Sequence, residues 1–185
     1  LLENIEIANS KYDILKKLNL EKNSYILVTA HRPECVDNKN NLRSILHGLE
    51  LVRNKFGIPV IFSAHPRTRN RINEFDLKIA NEITVIEPQG YLEFIQLIAN
   101  AKLVITDSGG LQEESCVLKV PCVTIREETE RPESIDVGGN ILAGYDPIKI
   151  LKYSEKMVGK DRNWENPFGD GRSASKIIDI IAKDF

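Results

Sequence analysis

The sequence predicts an α/β fold, a Rossmann-like doubly wound parallel sheet. Three observations carry that prediction. Short apolar segments alternate with helical stretches along the chain, the pattern of βαβ units with right-handed crossovers. The segments are apolar at consecutive positions, as in Tyr25-Ile26-Leu27-Val28 and Leu103-Val104-Ile105, which suits strands covered on both faces. Each segment runs directly into polar or glycine-containing residues, as parallel strands do where their carboxyl ends meet a loop.

The chain has 185 residues, enough for one domain with a substantial core. Its hydrophobic content of 42% and charged content of 28% are ordinary for a globular protein. A net charge of −2 gives no support to a nucleic-acid partner, which asks for a clear basic excess. The apolar runs are too short to span a bilayer, so no membrane partner is expected. Cys35, Cys116 and Cys122 form no C-x-x-C pair, which argues against a disulfide framework or a zinc site and makes a reducing cytoplasm the simplest compartment.

Residues 1–24 read as a linker or helix belonging to a missing N-terminal domain, with Ile7, Tyr12, Ile14, Leu15 and Leu18 as a loose apolar face. Residues 25–165 read as the Rossmann-like domain. Its first strand, Tyr25–Ala30, leads into His31-Arg32-Pro33-Glu34. Asp37 or Asn38 then caps a helix whose apolar positions Leu42, Ile45, Leu46, Leu49, Val52 and Phe56 follow the helical period. Gly57 stops it, and Val60–Ala64 is the second strand, followed by His65-Pro66-Arg67-Thr68-Arg69. A polar helix is predicted over 68–81, then a strand at Ile83–Ile86 ending in Glu87-Pro88-Gln89-Gly90. Tyr91–Asn100 is a helix with Phe94, Ile95 and Ile98 inward. Leu103–Thr106 is the fourth strand and Pro121–Ile125 the fifth, with Arg126–Glu133 after it. Ile141–Ala143 supplies a sixth, and Asp146-Pro147 opens a helix with Pro at its first position. Residues 166–185 form a C-terminal loop and a helix with Ala174, Ile177, Ile178 and Ile181 on one face.

The chemistry concentrates at Asp107-Ser108-Gly109-Gly110, where a strand turns into a helix. Ser108 is the expected N-cap, and the glycines leave backbone N–H groups bare at the positive end of the helix dipole, a site suited to phosphate. The same residues also fit an ordinary capped turn. On that helix, Glu114 falls between Leu111, Val117 and Leu118, with Glu113 further toward solvent. A carboxylate so placed needs a partner: vicinal ribose hydroxyls, or an arginine or lysine at the rim. His31 can donate to a phosphate or exchange a proton, with Arg32 as an anion donor and Glu34 to orient either, or it can be a structural loop histidine. His65 with Arg67 and Arg69 forms a second basic cluster, and Arg69 reads best as a solvated surface residue. In the Arg126–Glu133 run, Arg131 can reach a diphosphate or remain part of a charged surface. Gln89 and Phe94 flank a helix start whose backbone groups can read a base edge. There is no G-x-G-x-x-G and no Walker loop, which disfavours a dinucleotide dehydrogenase or P-loop ATPase. Because His31, His65, Gln89, Ser108 and the Arg126–Glu133 loop all follow strand ends, all should line one rim.

The motifs Thr29-Ala30-His31-Arg32-x-Glu34, His65-Pro66, Glu87-Pro88-Gln89-x-Tyr91-x-x-Phe94, Asp107-Ser108-Gly109-Gly110-x-Gln112-Glu113-Glu114, Thr129-Glu130-Arg131-Pro132-Glu133 and Asn166-Pro167-Phe168-Gly169-Asp170-Gly171 occur in that order. In this the chain resembles the C-terminal, nucleotide-binding half of the non-hydrolysing UDP-N-acetylglucosamine 2-epimerases. The resemblance implies one half of a GT-B-like enzyme of two domains, a homodimer when full length, serving cell-surface polysaccharide biosynthesis. It implies that groups near Gln89 and Phe94 hold uracil, that Glu114 takes the ribose hydroxyls, and that Ser108, Gly109 and Gly110 cradle the diphosphate with Arg131. It places His31 near the reacting end, in the conversion of UDP-N-acetylglucosamine to UDP-N-acetylmannosamine by elimination and re-addition of UDP. That route asks for no nicotinamide and no metal. Pro33 and Cys35 depart from the family, which often has Arg or Glu and Asn there, so one charge near the leaving group is missing. The acid–base carboxylates belong to the other half, and the chain alone is expected to bind UDP with little or no turnover. An epimerase of a modified UDP-amino sugar, or a nucleotide-binding glycosyltransferase or regulatory module, would share many of these features.

Overall fold

The computed structural model describes residues 1–184, which build a six-stranded, all-parallel sheet in the order β3-β2-β1-β4-β5-β6. The strands are β1 Ile26–Thr29, β2 Val60–Ser63, β3 Ile83–Ile86, β4 Leu103–Thr106, β5 Cys122–Thr124 and β6 Asn140–Leu142. Central β1 pairs with β2 on one side and β4 on the other, so the chain winds outward twice from the middle. A crevice opens at the carboxyl ends of the strands where the two windings part.

Strand alternation sorts the core into two layers. Ile26, Val28, Val60, Phe62, Leu103, Ile105 and Val123 face one cluster, which includes Leu42, Ile45, Leu49 and Val52 of helix α4 (Lys39–Phe56) and Ile150 of α9 (Pro147–Val158). Leu27, Ile61, Val104 and Cys122 face the other, which includes Leu97 and Ile98 of α6 (Tyr91–Ala99). Each fully buried aliphatic side chain stabilises the fold by about 1.5–3 kcal/mol relative to exposure. The continuous apolar runs of β1, β2 and β4 exist because both layers must be filled.

Helix α4 starts where Asn38 accepts hydrogen bonds from Asn40 N and Asn41 N, and it stops at Gly57 with φ 64°. Its Gly48 is a close-approach point: a Cβ there would stand 2.9 Å from Ile150 Cδ1 and 3.2 Å from Pro147 Cα, so a larger residue would push α9 away.

Helix α5 departs from expectation in its bounds, and the two ends of the chain show more than periodicity does. The polar helix over 68–81 is α5, Pro66–Glu74, which starts earlier and ends earlier. Pro66 supplies its first residue and His65 Nδ1 accepts from Arg67 N, while Asp76 turns left-handed at φ 52° and ends it. Residues 1–24 fold onto this domain as α1 (Leu2–Lys11) and α2 (Ile14–Lys17). Ala8, Ile14 and Leu15 are buried, and Ile14 N donates to Gln96 Oε1 of α6 at 3.0 Å. Tyr12 and Ile7, expected on the apolar face, are exposed. Helix α10, Ser173–Asp184, leaves Ile177, Ile178, Ile180 and Ile181 more than half exposed, so these side chains are largely uncovered among the described residues. The three cysteines are buried free thiols, and among the described residues no helix is long and apolar enough to cross a membrane.

Candidate functional site

His31, His65, Gln89, Ser108 and the segment from Arg126 follow β1, β2, β3, β4 and β5, and the sheet is parallel, so all five stand on its carboxyl edge. At the centre, where β1 and β4 adjoin, Thr29 and Thr106 are register partners and their hydroxyls hydrogen-bond at 2.6 Å. A cavity of about 120 Å³ beside them is lined by Ala30, His31, Ser63, His65 and Pro88. The His31 and His65 ring centroids are 6.0 Å apart.

Asp107 is the hub of this edge. Its side chain is fully buried, and it turns back from β4 toward β1. Oδ2 accepts from the backbone N–H of both His31 and Arg32 at 2.7 Å, and Oδ1 stands 3.2 Å from His31 Nδ1. Burial alone would raise its pKa, but the His31 ring and the two N–H donors outweigh burial and hold it below its ordinary value. The ring is thereby oriented, with its far nitrogen turned away from Asp107 on a half-exposed side chain. An Asp immediately before an N-cap reads as helix-entrance chemistry, and nothing in its own neighbourhood reveals that it serves the end of another strand.

The α7 N-terminus lies beside it. Helix α7 spans Gly109–Val117, and Ser108 is its N-cap, accepting from Leu111 N. A Cβ on Gly109 would lie 3.6 Å from Glu130 Oε2, 3.9 Å from Arg32 Nη2 and 4.0 Å from Arg131 Cγ. Arg32, Arg131, Ser108 and the two glycines therefore converge, although they come from three separate strand ends. Arg131 is ion-paired with Glu113 through Nε, so Glu113, part-exposed as its helical phase suggests, also borders the site. Arg32 forms no ion pair among the described residues, and its Nε is buried without a hydrogen-bond partner. An unsatisfied guanidinium beside bare helix N–H groups is an arrangement that favours an anion.

Glu130 is the residue at this site that sequence reasoning passed over. Arg126, nearly buried, grips both its oxygens at 2.8 and 3.0 Å and also reaches Glu34 at 3.1 Å. The hydrogen bonds from Arg126 hold the Glu130 carboxyl at a pKa of about 2, with a smaller contribution from Arg32. The alternation of arginine and glutamate over 126–133 was the available signal, but it reads as surface charge until the buried Arg126 is seen. The same run contains α8, Pro132–Asp136.

Glu114 shares a half-buried flank of α7 with Leu111, Val117 and Leu118, as expected, but the innermost side is polar: Gln112 and Ser115 are fully buried. Burial raises the Glu114 pKa, Glu113 adds to it, and a hydrogen bond with the Tyr91 side chain opposes it. No arginine or lysine ion-pairs with Glu114 among the described residues, so the rim salt bridge is absent there. Gln89 folds its amide onto Glu87 O at 2.7 Å. Phe94 N is committed to Gly90 O, and its ring packs on the Leu97 cluster. Contact with a base edge by an N–H of Phe94 is therefore not available, because the helix has already used it. Gly90 caps α6 without a side-chain bond, leaving the earlier N–H groups of that turn outward.

The basic cluster after β2 is internally neutralised. Arg67 and Arg71 both pair with Asp37, Arg71 also with Glu74, and Arg69 pairs with Glu87 and donates to Ala64 O. Among the described residues no group of three His, Cys, Asp or Glu side chains is placed to hold a metal.

A family model, UDP-N-acetylglucosamine 2-epimerase, matches residues 1–182. The chain belongs to that family. The structure of the Methanocaldococcus jannaschii UDP-GlcNAc 2-epimerase in complex with UDP-GlcNAc and UDP is 46% identical and superimposes with a TM-score of 0.90, covering 98% of this chain and 51% of that one. The UDP-N-acetylglucosamine 2-epimerase of Methanococcus maripaludis is 48% identical, covering 97% of this chain and 51% of the relative. The UDP-2,3-diacetamido-2,3-dideoxy-D-glucuronate 2-epimerase of Pseudomonas aeruginosa is 37% identical, covering 88% of this chain and 45% of the relative. The chain thus spans about half the length of the epimerases it matches. The Rossmann-like sheet is the architecture these epimerases share with it.

Proposed function

We propose that this chain is the UDP-binding half of a UDP-N-acetylglucosamine 2-epimerase, and that the whole protein interconverts UDP-N-acetylglucosamine and UDP-N-acetylmannosamine. The observation that carries the reading is Arg32, a guanidinium unpaired among the described residues, with a buried, unsatisfied Nε, set beside the bare backbone of Gly109. The related epimerases named above differ in their sugar and share UDP, which supports the nucleotide as the ligand of this half.

In this reading the α7 N–H groups, the Ser108 hydroxyl, Arg32 and Arg131 hold the diphosphate. Glu114 accepts hydrogen bonds from the ribose hydroxyls, and the Gln89–Gly90 turn meets the uracil. The proposed chemistry removes the C2 proton and breaks the bond from C1 to the diphosphate oxygen, giving a 2-acetamidoglucal and UDP. The diphosphate gains negative charge as that bond breaks. Cations and oriented N–H groups already in place stabilise that charge without reorganising. Re-addition of UDP with protonation at the other face of C2 completes the inversion. His31, held by Asp107, stands at the end of the cradle and can exchange a proton with the departing oxygen. The carboxylates that remove and return the C2 proton lie on the other half of the whole protein, and that half also covers the exposed isoleucines of α10. The setting is a reducing cytoplasm, in keeping with three free thiols.

Calorimetric titration of this chain with UDP tests the binding role: saturable binding is expected, and none in Gly109→Val, whose side chain fills the cradle. Binding that survives Gly109→Val would overturn the cradle. For the reaction, the whole protein incubated with UDP-N-acetylglucosamine in D₂O should place deuterium at C2 of both sugars. Turnover by this chain alone, or no exchange at C2 by the whole protein, would overturn the division of labour or the reaction respectively.

A further inference from the structure

Arg131 lies at the end of an irregular segment after β5, yet both of its backbone polar groups are fixed. Its N–H donates to Thr129 Oγ1 at 3.0 Å, and its carbonyl accepts from Ser134 Oγ at 2.8 Å. Each of those hydroxyls is in turn tied to a buried amide. Thr129 Oγ1 donates to Gln112 Oε1, and Ser134 Oγ accepts from Asn140 Nδ2 at 3.1 Å. Asn140 Nδ2 also donates to Gln112 Oε1 at 3.2 Å, which closes the ring. Asn140 Oδ1 accepts from Thr124 Oγ1 at 2.9 Å and from Ile141 N at 2.8 Å, anchoring the ring on β5 and β6. Every hydroxyl proton is used once, and the donor directions agree all the way round. Gln112, Thr124, Ser134 and Asn140 are buried.

We propose that Gln112 and Asn140 are positioning residues for Arg131: two buried amides, acting through Thr129 and Ser134, fix its backbone and so the root of a guanidinium that Glu113 and the Glu130 carbonyl hold at its tip, beside the α7 N-terminus. The inference rests on the reading that Arg131 serves a nucleotide diphosphate. Gln112 lies on α7, three residues beyond Gly109. One helix therefore both presents the N–H groups of the cradle and ties down the arginine beside them. A loop held this way loses little freedom when the ligand arrives, so more of the interaction appears as affinity. Gln112 Nε2 is buried without a partner, but the bonds shared through Gln112 Oε1 and the Asn140 amide still resist displacement, because moving any member would leave further polar groups unpaired.

Thr129→Val tests this without opening the core, since it is nearly isosteric and removes only the hydroxyl. Affinities for UDP and for uridine are measured by NMR titration in the wild type, Thr129→Val, Thr129→Ser, Arg131→Ala and the Thr129→Val/Arg131→Ala double variant. Thr129→Val should weaken UDP about tenfold, the size of one lost positioning hydrogen bond, and leave uridine unchanged. Thr129→Ser should restore UDP binding, and in the Arg131→Ala background Thr129→Val should add nothing. Equal loss for UDP and uridine, or an undiminished further loss in the double variant, would reduce the ring to a structural role and overturn the inference. So would unchanged UDP binding in Thr129→Val where Arg131→Ala weakens it. Wild-type protein that does not respond to UDP would overturn the nucleotide reading itself, and this inference with it.

Discussion

The carboxyl edge of the sheet carries two groups of arginines, and they differ in commitment. After β2, Arg67, Arg69 and Arg71 are all neutralised by Asp37, Glu87 and Glu74. Across the switch point, Arg126 is paired with Glu34 and Glu130 and Arg131 with Glu113, but Arg32 has no carboxylate partner among the described residues. The two groups are equal in arginine number, and the second is the one with an uncommitted guanidinium. What decides is whether one cation is left without a partner and whether bare helix N–H groups stand beside it. Exposed ion pairs contribute little to stability but remove a cation from the pool available to a ligand.

The largest effect should come from removing the group that builds the open side. Asp107→Ala strands the His31 and Arg32 N–H groups and should lower unfolding free energy by about 3 kcal/mol, measured by urea denaturation. The folded Asp107 pKa lies below its unfolded value. Its contribution is therefore complete above the unfolded pKa of about 3.9 and disappears as pH falls through the lower folded value. Wild-type stability should consequently fall more steeply than that of Asp107→Asn in melts taken below about pH 4; parallel slopes would remove Asp107 from its role. Next, Arg32→Gln should weaken UDP binding by about 2 kcal/mol, within the range for hydrogen bonds to charged groups, whereas Arg69→Gln should leave it unchanged in the same titration. The reverse pattern would invert the comparison between the two groups.

Glu114→Ala should weaken UDP binding by about 1.5–2 kcal/mol if the carboxylate serves the ribose. Hydroxyl donors favour the ionised form, so UDP lowers a Glu114 pKa that burial has raised. Binding should then release a proton, and affinity should fall as pH drops through that raised value. Calorimetry in buffers of different ionisation enthalpy reads the proton directly, and Glu114→Gln should abolish it. The smallest effect belongs to the neutralised side: Asp37→Ala should leave UDP affinity unchanged and lower the Tm only slightly, a difference that salt screens.

Much of the frame was legible in the sequence because it is set by local pattern. Six apolar segments became six strands, Ser108 caps α7, and the apolar stripe of α4 faces the core. The boundary of α5 was not legible, since its end depends on Asp76 adopting a left-handed backbone. The partners of the site were the least legible. Asp107 reaches His31 across 76 residues, and Glu113 meets Arg131 only because the segment after β5 folds over α7. Gln112 is polar at a core position, which periodicity scores as an error until Asn140 and Thr129 are seen beside it. Local chemistry named the donors; strand order decided which of them meet.

The hydroxyl pair between Thr29 and Thr106 joins residues 77 positions apart, and it marks when the site comes into being as well as where. β1, β2 and β3 are consecutive in the chain and can associate early, with modest loop-closure cost. Only when β4 docks against the free edge of β1 does Asp107 meet His31 and Arg32 meet Gly109. A nucleotide added during refolding therefore finds nothing to bind until the second winding has closed. Bound at the proposed cradle, it would stabilise the finished molecule by slowing its unfolding, not by hastening its formation.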